Sequence, residues 1–149
     1  MPNQYLIDAR DKPALLAATM KTLAGDARIS FEGNLSRVDF GSIAGTSNEE
    51  THILKRNTIE PLQDFVVLPL EPESVASILR ALSFGGALSD DILHVQIEKA
   101  GRLEFGAYDN FHPDCVVACE GVLVPVLRHL LEQQIIRSFH QVPEQQSTV

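Results

Sequence analysis

Long apolar runs are missing from this chain of 149 residues. No stretch approaches the length needed to cross a bilayer. The opening segment, MPNQYLIDARDK, lacks the basic head and apolar core of a secretory signal, so a cytoplasmic protein is expected. Cysteine is scarce: Cys115 and Cys119 stand four apart. On a strand those positions share a face about 13 Å apart, at a rise of about 3.3 Å per residue, too far for a disulfide. Both thiols are expected to be reduced and buried, which again suits the cytosol. Positive charge is also short. The 12 basic residues face 20 acidic ones, giving a formal charge of -8. Residues 51–120 hold eleven of the acids and five of the bases, so most of the excess lies there. A field of that sign repels phosphate backbones and anionic lipid, which excludes nucleic acid and membrane surfaces as expected partners. A basic protein is the natural one.

The usual catalytic and cofactor signatures are absent as well. No GxGxxG and no GK[ST] follows a strand-like segment, and there is no GxSxG. The histidines are scattered, and no CxxC or HExxH spacing suggests zinc. A metal site assembled from His112, Asp114, His94 and Cys119 has no such spacing behind it. No cofactor and no metal are expected.

What is present is an ordinary globular composition, 44% hydrophobic and 21% charged. No repeat or linker divides it, so residues 1–139 are expected to form a single domain, with residues 140–149 as a flexible polar tail. Asp11 caps a helix with Pro13 in its first turn and Leu16, Met20 and Leu23 on one face. A second helix begins at Pro72, with Val75, Ile78, Leu79 and Leu82 spaced for burial. A third begins at Pro125 and buries Val126, Leu127, Leu130 and Leu131. A strand is expected over residues 28–32, residues 5–7 read as either a first strand or a lead-in, and residues 37–40 are a candidate for a second, antiparallel strand. Asp64–Leu70, DFVVLPL, is apolar on both faces and reads as central in the sheet, with Pro69 near an edge or exit. Residues 41–50 have loop composition, residues 51–59 are ambiguous, and Lys55-Arg56 reads as a solvated edge. The fold class implied is α+β: a largely antiparallel sheet of about five strands with about three helices packed on it.

The chain is organised around residues 92–120. Leu93, Val95 and Ile97 alternate with His94, Gln96 and Glu98. Beyond the three-residue connection Lys99-Ala100-Gly101, Leu103, Phe105 and Ala107 alternate with Arg102, Glu104 and Tyr108. That period of two predicts a hairpin with one face in the core, and Gly101 supplies the left-handed backbone at the turn. Residues 115–119 read as a further strand. Between them, Tyr108-Asp109-Asn110-Phe111-His112-Pro113-Asp114-Cys115 is the densest polar cluster in the sequence.

Two chemistries compete for this cluster. Cys115 as nucleophile, His112 as base and Asp109 or Asp114 as orienting acid would make a small hydrolase or transferase. Against it, nucleophile and base normally converge from distant parts of a chain, and Cys115 leads into an apolar strand. The plainer reading is a turn in which Asp and Asn bond local backbone and Pro113 fixes the bend. The hairpin's polar face could likewise be a solvated face, with Glu98 and Arg102 paired across the turn. The binding reading takes Glu98, Glu104, Tyr108, Asp109, Asn110, Phe111, His112 and Asp114 as one partner-binding patch. Its carboxylates steer a basic partner and its aromatics anchor it. A self-associating domain is a third reading.

The segment EKAGRLEFGAYDNFHPDC, residues 98–115, is similar to stretches of small bacterial immunity proteins. The resemblance covers the C-terminal half of the chain and is joined by the small size, acidity and α+β pattern. Such proteins sit in the cytosol and neutralise a cognate toxin of a contact-dependent, type VI or related polymorphic system. The resemblance implies a tight one-to-one complex in which acidic side chains cover a basic toxin site; the charge excess in residues 51–120 adds the expectation of a non-enzymatic inhibitor, with a nuclease as one candidate target. It carries no shared catalytic residues to place on this chain.

Overall fold

Apolar alternation sets most of the strands, and the computed structural model describes them over residues 3–41, 43–84, 87, 88, 90–122 and 124–142. In chain order they are β1 (Tyr5–Ala9), α1 (Lys12–Leu23), β2 (Ala27–Gly33), β3 (Asp64–Leu70), α2 (Val75–Leu82), β4 (Ser83–Phe84), β5 (Ala87–Leu88), β6 (Ile92–Lys99), β7 (Arg102–Ala107), β8 (Val116–Ala118), α3 (Val124–Glu132) and β9 (Ile136–Gln141). A single 3-10 turn, Pro113–Cys115, precedes β8. The class is α+β in one domain, but the main sheet has seven strands rather than about five, in the order β3-β2-β6-β7-β8-β1-β9. Every pairing in it is antiparallel. Strands β4 and β5 pair separately.

One face of the sheet is mainly apolar. Ile29, Phe31, Leu68, Val95, Ile97, Phe105 and Val116 are buried there with Leu16, Met20 and Leu23 of α1, Ile78 and Leu82 of α2, and Leu127 and Leu130 of α3. The expected caps hold: the Asp11 carboxylate accepts from Ala14 N at 3.1 Å, and Pro13 lies in the first turn. Helix α2 starts later than expected, at Val75, because Ser74 Oγ accepts from Glu71 N and its carbonyl takes the Ile78 N–H. On α3, Leu131 faces solvent instead of the core.

Strand β3 is the outermost strand and not a central one. Its two apolar faces are both covered, one by the helices and one by the connection 34–63, so a continuous apolar run did not require flanking strands. Ser47 bridges to Val67 on the open side, each donating to the other's carbonyl. Pro69, two residues on, therefore has its missing N–H on that same outer side, where no ladder bond is lost.

The connection 34–63 is longer than ordinary loops of compact domains. Residues 37–40 form no strand. Instead Phe40 is buried and stacks on Phe31 with ring centroids 5.5 Å apart. The chain then rounds the edge of β3 at Gly45, where a Cβ would lie 2.8 Å from Pro69 Cγ and φ is +83°, so only glycine passes. From Thr51 to Thr58 it lies over the sheet's second face as a strap. Leu54 is fully buried there among Phe65, Val67 and Leu103. Arg56 stacks on Phe65 at 5.1 Å and donates to the Gln63 carbonyl, so it is no solvated edge.

The central hairpin forms as expected, with a tighter turn. Lys99 pairs with Arg102, leaving only Ala100 and Gly101 to connect them, both left-handed at φ 55° and 75°. Two positive angles in a two-residue loop match the right-handed twist of the strands. At the other end, β9 pairs with β1 from Ala9 to Tyr5. The boundary expected at residue 140 is thus corrected: His140 and Gln141 belong to the sheet. The remainder of the expected tail, residues 143–149, and the Gly85-Gly86 cap lie outside the described residues.

Candidate functional site

Period-two alternation would set Leu103 in the core and Glu104 on the polar face. A β-bulge between Ile97 and Glu98 reverses them: Ile97 pairs with Phe105 and Glu98 with Leu103, so Glu104 has no residue opposite. Leu103 accordingly packs under the strap, and Glu104 turns inward to 2% exposure. Its carboxylate accepts from Gly121 N at 2.6 Å and from Arg102 Nη2 at 3.1 Å. Two charge-assisted bonds offset burial of the charge. Glu104 therefore fastens the turn after β8 and cannot contact a partner. The Glu98–Arg102 pair does not form. Arg102 goes to Glu104, and Glu98 accepts from Thr51 Oγ1 at 3.1 Å.

The polar face of the hairpin is covered, not solvated. Glu32, only 1% exposed, takes the backbone N–H groups of Asn57 and Thr58 at 2.8 and 3.0 Å, one on each oxygen. Gln96 accepts from Lys55 N at 3.3 Å and donates to Tyr108 Oη at 3.0 Å. His94 accepts from Asp109 N on Nδ1 at 3.3 Å, so its proton sits on Nε2, which meets Thr58 Oγ1 at 3.0 Å. One imidazole thus joins the strap to the polar turn that follows β7.

That turn has an unusual backbone. Asp109, Asn110 and Phe111 are all left-handed, with φ of 51°, 53° and 61°. The conformation costs on the order of 1–2 kcal/mol per residue, less for Asp and Asn than for Phe. Three anchors hold it. Asn110 donates to the Leu93 carbonyl from its backbone and to the Ile92 carbonyl from Nδ2, both at 2.8 Å. Lys12 Nζ of α1 donates to Asn110 Oδ1 at 2.8 Å. Phe111 is 2% exposed and packs against Phe105, with ring centroids 6.4 Å apart. Phe111 is therefore a core residue, and its expected role as a surface anchor is corrected. Asn110 is a tether, and Tyr108 is half-buried.

What the turn leaves at the surface is Asp109, His112 and Asp114. His112 Nδ1 accepts from Asp114 N at 3.2 Å, capping the 3-10 turn. Cys115 Sγ faces Asp109 Oδ2 at 3.9 Å. Burial, then the Asp109 and Asp114 charges, push the Cys115 thiol above its ordinary value. A nucleophilic cysteine needs the opposite shift. His112, spent on the cap, is not the partner of the Cys115 thiol. Both cysteines are free, as expected, though Cys115 is only partly covered and Cys119 is buried. Burial and then Glu104 push the Cys119 thiol up too. Among the described residues no group of three His, Cys, Asp or Glu side chains could hold a metal ion. None of the described helices is long and apolar enough to cross a membrane.

No protein-family model, curated protein or solved structure matches the chain.

The eight residues expected to form one patch are dispersed by the fold. Glu98 is opposite Arg28 at one end of β6, while Asn110 is bonded at Ile92 and Leu93 at the other. Six residues of strand separate those ends by about 20 Å. Glu98 lines an open cleft of about 410 Å³ with Arg28, Glu71 and Lys99, whose charges are mixed. Asp109, His112 and Asp114 remain together. Sequence reasoning missed the other prominent surface feature, Ile59 and Leu62, which are 78% and 68% exposed. A signal was available: two large apolar residues flank Glu60-Pro61 in a loop, outside any strand or helix period.

Proposed function

We propose that this chain is an immunity protein that binds and neutralises a cognate basic protein toxin without chemistry of its own. The observation that carries the reading is the pair of successive turns, left-handed at Asp109 and 3-10 at Asp114, that hold these two carboxylates at the surface. Neither carboxylate has a salt-bridge partner among the described residues. A rigid acidic projection of this kind attracts a basic surface and loses little ordering entropy on binding. The net charge of -8 extends the attraction over the molecule. The raised Cys115 pKa and the engagement of His112 argue against a Cys/His hydrolase or transferase, and no observation favours that reading.

The test is capture of tagged protein and its Asp109→Asn/Asp114→Asn variant from the native cells, read by mass spectrometry. The expected result is one stoichiometric basic partner on the parent protein and at least about tenfold less on the variant, the scale of a charge-steered contact. That partner, produced alone, should arrest growth, and co-production of this protein should restore it. A partner that is harmless alone, or equal capture by the variant, would sink the reading.

A further inference from the structure

Large apolar side chains are usually exposed singly. Ile59 and Leu62 are exposed together, three residues apart, and the fold holds their loop from both sides. On one side, Asn57 N and Thr58 N are gripped by the buried Glu32 carboxylate, and Thr58 Oγ1 meets His94. On the other, the Gln63 carbonyl accepts from Arg56, whose guanidinium is fixed over Phe65. A slack loop could fold such side chains back against the protein. This one presents them.

Their surroundings are acidic. Glu60 lies between them and is exposed, and Asp64 is exposed where β3 begins. Asp64 pairs with Gly33, Gly33 pairs with Ile92, and Ile92 holds Asn110, so the loop tip and the left-handed turn share one end of the sheet. His94 spans the gap directly, with Thr58 on one ring nitrogen and Asp109 N on the other. Asp91, beside Ile92, adds a fourth acid at this end, against Lys55, which is exposed, and Arg56 and Lys12, which keep their charge but are held to the protein by Phe65, the Gln63 carbonyl and Asn110.

An apolar centre with a charged rim is the anatomy of a protein interface. We propose that the tip at Ile59 and Leu62 is the apolar anchor of the docking surface, with Glu60, Asp64 and Asp109 as its acidic rim. The partner it fits is a protein surface with an apolar cleft bordered by Lys and Arg. This deepens the inhibitor reading and rests on it, because it names which part of the molecule enters the partner. A second copy of this chain does not suit the surface, since the rims would repel.

The test uses the full chain and three labelled peptides, followed by fluorescence anisotropy at physiological salt. The first is an amphipathic helix of Leu and Lys, the second its Glu-for-Lys counterpart, and the third oligolysine of the same charge. The Leu/Lys peptide should bind, and Ile59→Ser/Leu62→Ser should weaken it by at least about tenfold, as loss of an interface anchor does. Leu131→Ser, which removes an exposed apolar residue on α3, should leave binding unchanged, and equal melting temperatures verify that all variants fold. Failure of the Leu/Lys peptide to bind overturns the proposal. So does equal binding by the Glu-containing peptide, because charge complementarity is then absent. Oligolysine binding as tightly as the Leu/Lys peptide, with the serine variant unimpaired, overturns the anchor while leaving the acidic inhibitor reading intact.

Discussion

The two faces of the sheet are covered by different means. Under the helices, Phe31, Val95, Ile97 and Phe105 lie in one apolar cluster. Under the strap, Glu32, His94, Gln96 and Glu98 alternate with them along the same strands and bond to strap atoms. Apolar packing is strong but non-directional, so it secures the helices without dictating one register for a loop. Hydrogen bonds are weaker in net terms and strict in geometry, and a buried one left unmade is costly. The helical face supplies stability. The strap face supplies position, which is what a loop that carries a binding tip needs.

Neighbouring residues on β2 offer the sharpest way to break this contrast. Phe31→Ala should cost about 3–5 kcal/mol in chemical denaturation and lower amide protection throughout, as expected for a buried aromatic. Glu32→Gln should cost less, about 1.5–3 kcal/mol, since one strap N–H then faces an amide donor. Its loss of hydrogen-exchange protection should centre on Asn57 and Thr58. Global loss in both variants would mean that the two faces form one cooperative core. A smaller effect of opposite sign is expected at Asp109→Gly, which removes a side chain from a left-handed position. It should raise stability by roughly 0.5–1 kcal/mol, because glycine adopts that conformation freely. A decrease would show that the Asp109 carboxylate contributes more than its backbone costs.

The smallest effect is in the pH response of the thiols. Cys119 is raised in the fold, first by burial and then by Glu104, so the folded state favours the protonated form. Stability from this source is complete below the ordinary thiol range near about 8.5 and declines above it, as the unfolded chain ionises first. Thermal melts between pH 8 and 10 should show a shallower decline for Cys119→Ser. Alkylation at neutral pH should reach Cys115 more slowly than a free cysteine peptide, and Cys119 only after unfolding. Rapid modification of Cys115 would reopen the question of a nucleophile.

Much of this contrast was legible in the chain, and its blind spots have physical causes. Alternation in ILHVQIEK and RLEFGA located the hairpin, and the spacing of Val75, Ile78 and Leu82 located α2. Alternation cannot announce a bulge, so Leu103 and Glu104 were each assigned to the wrong face. Strand β9 was invisible because Ile136 alone of its residues is buried; main-chain pairing to β1 makes it a strand. The polar face was read as open, to solvent or to a partner, because a sequence does not show that a distant connection will lie across it. At the candidate site the composition of residues 108–115 pointed correctly to a turn. Nothing in it revealed that Phe111 would be drawn inward while Ile59 and Leu62 stayed out.

Beside the Leu54, Arg56, Thr51 and Thr58 side chains, the strap is held through its main chain. Glu32 and Gln96 accept from the backbone N–H groups of residues 55, 57 and 58, groups that every amino acid except proline possesses. The sheet is therefore largely blind to which side chains the strap carries at residues 55 and 57 and at the tip beyond them. Residues 59–62 can be rewritten without disturbing the clamp that aims them. A scaffold of this kind can exchange one specificity for another by changing a few letters, leaving its architecture untouched.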